Sequence, residues 1–307
     1  MDIEQELAIH TPSSPTLLTV GVFDGVHRGH LALVETLTRR ARERGLLGGI
    51  VTFSPHPQSV LHPSEETPLL ASLEERVRLL HEAGVSLVVP LTFTRTLSEY
   101  RPEQFVGLLA QYLKMSGLIL GPDFSLGKDR AGTIRTLEEL GPRMGFDVEE
   151  VPPFTIDGEV VSSTAIRQAL ADGDIATTTR LLGRSYGVTG TVVSTSQRGA
   201  NLGFPTANLD VDPGRALPRN GVYATIAYVR SSRYASVTNI GYRPTFGDTE
   251  RILETHILDF SGSIYGETLT VEFAARLRDE VSFESPGQLV GQIRQDVKAA
   301  RRILERN

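Results

Sequence analysis

The sequence predicts a two-part α/β protein: a doubly wound parallel sheet in the first half, and an antiparallel β unit closed by a helix in the second. Three observations carry this. Apolar strand-like runs alternate with segments of helical periodicity to about residue 150. Short alternating runs, punctuated by turn residues, replace them from about residue 186. A chain of 307 residues also suits about two domains.

TLLTVGV (16–22) is a short apolar run and reads as a buried strand. Gly29 to Arg44 carries Leu31, Val34, Leu37 and Ala41 at helical spacing, with Gly45 to end it. LGGIVTF (47–53) reads as the second strand. Leu73 to Ala83 reads as the second helix, with Leu73, Val77 and Leu80 on one face. VSLVVPL (85–91), GLILG (117–121) and DVEEVP (147–152) are further strands, separated by helices at 102–112 and 134–144. Repeated βα units of this length pair in parallel under helices on both faces. A helical stretch from Ser163 to Leu182 breaks around Gly173.

The period then changes. YGVTGTVV (186–193), GVYATIAYV (221–229), YASVTNIG (234–241), ETHILDF (254–260) and LTVEFAARL (269–277) are separated by Pro213-Gly214, Pro218, Ser261-Gly262 and Gly266-Glu267. Strands at this spacing build an antiparallel barrel or a sandwich. A closing helix, Pro286 to Leu304, shows an apolar face at Leu289, Ile293, Val297, Ala300 and Leu304. The expected domains are 1–183 and 184–307.

Composition narrows the function classes. The absence of cysteine excludes disulfides, thiolate metal sites and a cysteine nucleophile. A net charge of −6 argues against a duplex nucleic acid partner but not against one nucleotide in a local positive pocket. The start MDIEQELAIH is too polar for a secretory signal, and no run approaches the ~18 apolar residues of a membrane span. A cytoplasmic protein with no membrane or nucleic acid partner is expected; the oligomeric state is not legible.

GVFDGVHRGH (21–30) falls between the first strand and the first helix, where open α/β sheets bind ligands. Its glycines allow close backbone approach, and His27 and His30 sit three apart at a helix start, whose N–H groups favour phosphate. FSPHP (53–57), GPDFSLGKDRAGT (121–133) and VSSTAIR (161–167) follow later strands, at the same ends. Read without further context, Ser163 or Thr164 is equally a helix cap. In the second half, PTAN (205–208) is locally a proline turn, and Thr206 and Asn208 carry hard oxygen donors suited to Mg²⁺. Strand alternation puts Glu254, His256 and Leu258 on one face and Thr255 and Ile257 on the other.

These strings resemble one family. GxFDGxHxGH is a form of the HxGH signature of nucleotidylyltransferases, and is similar to that of the bacterial riboflavin kinase/FAD synthetases. NLGFPTANL (201–209), NIGYRPTFG (239–247) and ETHILDF resemble, in order and spacing, the flavokinase module of the same family. The resemblance covers about residues 17 to 302. It implies a Rossmann-like nucleotidylyltransferase domain followed by an antiparallel flavokinase-type β-barrel. It further implies two ATP-dependent activities, riboflavin to FMN in the second domain and FMN to FAD plus pyrophosphate in the first.

By the same resemblance, His27, His30 and Arg167 act on the reacting phosphates. Gly21, Phe23, Asp24, Gly25, Gly29, His56, Asp123, Phe124, Ser163 and Thr164 contact nucleotide or substrate. In the second domain Glu254 is the base for the ribityl hydroxyl, Thr206 and Asn208 hold Mg²⁺, and Gly199, Gly203 and Arg243 contact substrate. The implied partners are riboflavin, FMN and ATP. Leu126, Asp129 and Thr133 depart from the usual wording in the first domain, and Ser194-Thr195 and Ala200 in the second. The latter leave open a chain that only adenylylates FMN and binds flavin in its second module; Arg198 is a nearby substitute for the arginine missing at 200.

Overall fold

The computed structural model describes residues 2–65, 67–194, 203–244 and 249–305. The chain divides into two compact units, Met1–Ser163 and Thr164–Asn307.

The first unit is built on a five-stranded sheet in the order Leu87–Thr92, Leu47–Ser54, Thr16–Val20, Met115–Leu120, Asp147–Glu150. Every pairing is parallel. The chain steps outward from Thr16–Val20 in one direction, then returns to its other side, so the order reverses there. Loops leaving the two strands at such a reversal diverge and open a crevice. Alternation along each strand feeds two cores. Leu18, Val20, Val51, Leu118 and Leu120 pack under the helices Pro102–Leu113 and Ile134–Met144. Leu17, Ile50, Val88 and Ile119 pack with residues of Arg28–Glu43 and Leu73–Glu82.

A short helix, Ile3–Ile9, lies outside the sequence expectations. Its signal is the Asp2/Gln5 capping box, but its one buried residue, Leu7, gives no period to read. It covers the sheet edge: Glu6 Oε2 accepts from the Thr92 amide at 2.7 Å.

The second unit is a closed six-stranded barrel, in the order Tyr186–Val193, Ala207–Asp210, Thr249–Ile257, Ser232–Pro244, Gly221–Val229, Thr268–Arg278. The barrel, not the sandwich, is therefore the architecture. Its closing strand is Ala207–Asp210, which the sequence disguises as a turn. Pro205, which lacks an amide to donate, stands just before it, and the strand is short. It pairs antiparallel with Tyr186–Val193 on one side and Thr249–Ile257 on the other. Four buried hydroxyls line one face: Thr225 bonds Ser236 and Thr238 at 2.8 Å each, and Thr238 bonds Thr255 at 3.0 Å. The helix Pro286–Leu304 sets Ala300 and Leu304 against Val222, Ala224, Ile226 and Val237. Its buried Asp296 pairs with Arg278 at 2.8 Å.

Ser163–Asp172 and Ile175–Leu182 are two helices, broken at Gly173 as expected. The second packs on the strands Tyr186–Val193 and Thr268–Arg278, and Leu170 O accepts from the Arg219 amide at 2.8 Å. That packing places the compact division at 163/164, whereas the sequence reading set a domain boundary at 183/184. No helix among the described residues is long and apolar enough to cross a membrane.

Candidate active sites

In the first unit the site grows from the loop after Thr16–Val20. Phe23, Gly25 and Val26 have positive φ (53°, 81° and 39°). Glycine adopts this freely; a β-branched valine does so at a cost of about 1–3 kcal/mol, sustained only where surroundings over-determine it. Here burial does so, since Phe23 and Val26 are core residues under the helix Arg28–Glu43.

His27 caps that helix. Its Nδ1 accepts from the His30 amide at 3.2 Å, so the hydrogen of the neutral ring is on Nε2. The imidazoles of His27 and His30 stack, with centroids 3.6 Å apart and planes at 16°. His27 is buried and His30 half-buried. Gly29 makes this possible: a Cβ there would lie 2.9 Å from Val161 O and 3.1 Å from Cε1 and Nδ1 of His27. Phe23 links the pair to the crevice. Its ring is 4.9 Å from that of His30, and a Cβ on Gly21 would lie 3.1 Å from its Cε2.

A cavity of about 760 Å³ opens beyond Gly21. Phe53, Phe93, Tyr100 and Phe105 give it aromatic walls, and its rim carries Arg95, Lys128 and Arg130 beside Glu99, Asp123 and Asp129, with Lys128 paired to Glu99 at 2.6 Å. Asp123 and Phe124 line it and an adjoining cleft of about 580 Å³. Of the expected residues, Gly21, Asp123 and Phe124 are in the cavity wall; His27, His30, His56 and Ser163 are not. Sequence reasoning missed the four aromatic walls, which come from separate elements, and the mixed-charge rim, of which only Lys128-Asp129-Arg130 gave a local signal.

Three expected contacts have clear structural roles. The Asp24 carboxylate turns inward and accepts from the amides of Leu70 at 2.9 and 3.0 Å and Ala71 at 3.1 Å. Ser163 Oγ donates to Asp24 O at 2.9 Å, tying VSSTAIR to the histidine loop. His56 Nδ1 caps the short helix Pro57–Leu61, accepting from the Gln58 amide at 3.1 Å. Thr164 and Arg167 open the helix Ser163–Asp172, on the other side of the unit division.

In the second unit, Asn208 pairs directly with Glu254, and Glu254 with Asn239 on its other side. Direct cross-strand partners share a face with Cβ atoms about 4.5–5.5 Å apart. Thr255 faces the buried hydroxyls and Glu254 the opposite side, half-buried. His256 Nδ1 contacts Pro205 O at 2.8 Å, and its ring stands edge-on to Phe204 at 5.4 Å. The chain entering Thr206 is thereby fixed against the Glu254 strand. Asn208 also lines a cavity of about 490 Å³, with Asp210, Asp212, Arg215 and Arg251 as polar walls.

Among the described residues no group of three or more His, Asp or Glu side chains is arranged to hold a metal. The Thr206 hydroxyl and Asn208 carboxamide fit a hard cation that takes its remaining ligands from water and nucleotide phosphates, the usual habit of Mg²⁺. Gly203 is described, with φ 83°. Arg243 is in the strand Ser232–Pro244, but its side chain, like Thr195, Arg198, Gly199 and Ala200, lies outside the described residues.

Comparison with known proteins matches the chain to two family models in order: FAD synthetase over residues 9–165 and riboflavin kinase over residues 182–304. A protein of Escherichia coli K12 named bifunctional riboflavin kinase/FMN adenylyltransferase is 36% identical over 295 residues, 95% of this chain and 94% of that one. A protein of the same name from Bacillus subtilis 168 is 32% identical, covering 96% and 95%. A Streptococcus pneumoniae crystal structure described as a macrolide-efflux protein matches with TM-score 0.87 and 30% identity over 96% of each chain.

Proposed function

The chain belongs to the riboflavin kinase/FAD synthetase family, and from that premise we propose how it phosphorylates riboflavin to FMN and adenylylates FMN to FAD, each with ATP. The observation that carries the reading is the pairing of two chemically different sites with two family models in matching order. The kinase activity is retained despite Ser194, Thr195 and Ala200, because the riboflavin kinase model spans that module.

In the first domain, taken as residues 1–183, the isoalloxazine ring of FMN occupies the aromatic cavity. Its volume of about 760 Å³ falls within the usual range for ligand pockets, ~300–1,000 Å³. The FMN phosphate attacks the α-phosphorus of ATP and pyrophosphate leaves. No protein nucleophile is required; alignment and charge stabilisation do the catalysis. His27 and His30, at the helix N-terminus, stabilise the developing phosphate charge. Arg167, Ser163 and Thr164 hold the triphosphate. Asp24, Gly25 and Gly29 act by shaping the loop.

In the second domain, residues 184–307, Glu254 accepts the proton of the ribityl hydroxyl as it attacks the γ-phosphorus. A positioned base of this kind contributes about 10²–10⁴-fold. Thr206 and Asn208 would hold Mg²⁺, which when bound would neutralise phosphate charge at this γ-phosphoryl transfer. Gly199, Gly203 and Arg243 contact nucleotide or substrate. The enzyme is assigned to the cytoplasm. The test is incubation of purified chain with riboflavin, ATP and Mg²⁺, with flavins resolved by chromatography. FMN and FAD are both expected; FAD formed only when FMN is supplied would remove the kinase half of the reading.

A further inference from the structure

Arg76 is 2% exposed, an unusual burial for an arginine on the helix Leu73–Glu82. Its Nη1 donates to Val22 O at 2.6 Å, Phe53 O at 3.1 Å and Thr52 Oγ1 at 3.2 Å. Val22 belongs to the histidine loop, and Thr52 and Phe53 end the strand that leads into FSPHP. Thr52 Oγ1 in turn donates to Val22 O at 2.9 Å, closing a triangle. The same loop reaches back to this helix: Asp24 holds the amides of Leu70 and Ala71, immediately before its Ser72 cap.

Loop and helix therefore fix each other at two points, at the carbonyl of Val22 and the carboxylate of Asp24. Between and beside these ties stand the left-handed Phe23, Gly25 and Val26, which hold the chain that delivers His27. Burial pulls the Arg76 pKa below that of a free guanidinium, with the charges of Asp24 and Glu74 opposing it. A buried charged group is costly to desolvate, and an apolar side chain of like size fills such a space as stably. The chemistry retained instead is one guanidinium nitrogen, Nη1, aimed at the carbonyls of Val22 and Phe53 and at the Thr52 hydroxyl.

We propose that Arg76 is a positioning residue for adenylyl transfer, clamping the histidine loop to the end of the second strand through Val22, Thr52 and Phe53. The proposal rests on the assignment of that activity to the first unit. Arg76 touches no substrate; it acts through the loop that sets His27 and His30.

The full chain is compared with Arg76→Lys, Thr52→Val and Leu80→Ala. Leu80 is a fully buried residue of the same helix that makes no contact with the loop carbonyls by hydrogen bonding, so it reports general destabilisation. Lysine keeps the charge, but its shorter side chain does not carry a donor to the position of Nη1. Arg76→Lys is expected to lower kcat for FAD formation from FMN by about 10²-fold, the loss that follows ~1 Å misplacement of reacting groups. KM for ATP stays within about threefold, because the clamp sets alignment rather than nucleotide binding. Thr52→Val lowers kcat in the same direction by a smaller factor and carries the test if the lysine variant does not fold. Leu80→Ala lowers the melting temperature but keeps kcat when assayed below it. Conversion of riboflavin to FMN is unchanged in all three. Normal kcat in folded Arg76→Lys or in Thr52→Val overturns the proposal, as does a kcat loss in Leu80→Ala equal to theirs at equal destabilisation. Failure of the unsubstituted chain to convert FMN to FAD would instead sink the assignment of the activity itself.

Discussion

Gly29→Ala puts one methyl group where the first-unit site has no room for it. The added Cβ lies 2.9 Å from Val161 O and 3.1 Å from two atoms of the His27 ring. Comfortable carbon contacts begin near 3.5 Å, so something must move by about half an ångström. Alanine gains up to about 1 kcal/mol of helix propensity over glycine. Overpacking costs about 1–3 kcal/mol, and one of the atoms met here is backbone oxygen, which yields least. The clash therefore wins, by up to about 2 kcal/mol, or a melting shift of up to roughly 8 °C for a unit of this size. The activity effect is larger. Moving Val161 disturbs the Ser163 tie to Asp24, and moving the imidazole disturbs the stack on His30. Either displaces the histidines from the phosphates, with a loss of about 10²-fold in FAD formation, equivalent to about 2.7 kcal/mol. The assay is conversion of FMN and ATP to FAD, with riboflavin phosphorylation as internal control. Wild-type FAD formation by folded Gly29→Ala would refute the claim that this histidine geometry drives the transfer.

Asp24→Asn places an amide NH₂ against the Leu70 amide, now 3.0 Å from a carboxylate oxygen, and removes one of the two negative charges, Asp24 and Glu74, that act on Arg76. Denaturant unfolding is expected to show a loss of about 1–3 kcal/mol or more. Asp174 caps the helix Ile175–Leu182 by accepting from the Thr177 amide at 2.9 Å, and that backbone bond, followed by the Thr177 hydroxyl, holds its pKa below the usual carboxylate value. A depressed folded pKa gives stability that is present above the unfolded value and disappears as pH falls through the folded one. Asp174→Ala is thus expected to cost about 1 kcal/mol at neutral pH and nothing at a pH below both values, checked by melting curves across pH. Thr225→Val removes a hydroxyl bonded to Ser236 and Thr238 at 2.8 Å each, and chemical denaturation is expected to show a loss of about 1–3 kcal/mol in the barrel unit.

Much of the fold was written locally. Strand and helix periods are strong where one face is buried, so Ile134–Met144, Tyr186–Val193, Gly221–Val229 and Pro286–Leu304 fall where periodicity put them. Ala207–Asp210 was hidden because proline and the Thr-Ala-Asn string carry turn chemistry, while the pairing that makes them a strand is long-range. The sites divide in the same way. The histidine pair, Asn208 and Glu254 were singled out because their strings resemble the family's motifs, but the cross-strand pairing of Asn208 with Glu254 was not legible. The inward turn of Asp24 and the burial of Arg76 were not legible either, because both residue types ordinarily face solvent. Arg76 stands on the same helical face as Leu73 and Leu80, but its charge hides that in any hydrophobic pattern. The cavity aromatics Phe53, Phe93, Tyr100 and Phe105 meet only in three dimensions.

The most direct measurement is flavin product analysis of His30→Ala beside Glu254→Ala, each supplied in turn with riboflavin and with FMN. The histidine variant is expected to accumulate FMN and make no FAD from either flavin. The glutamate variant is expected to leave riboflavin untouched and convert FMN to FAD at the unsubstituted rate. A folded variant of either kind that has lost both conversions, or kept both, contradicts two independent sites on one chain.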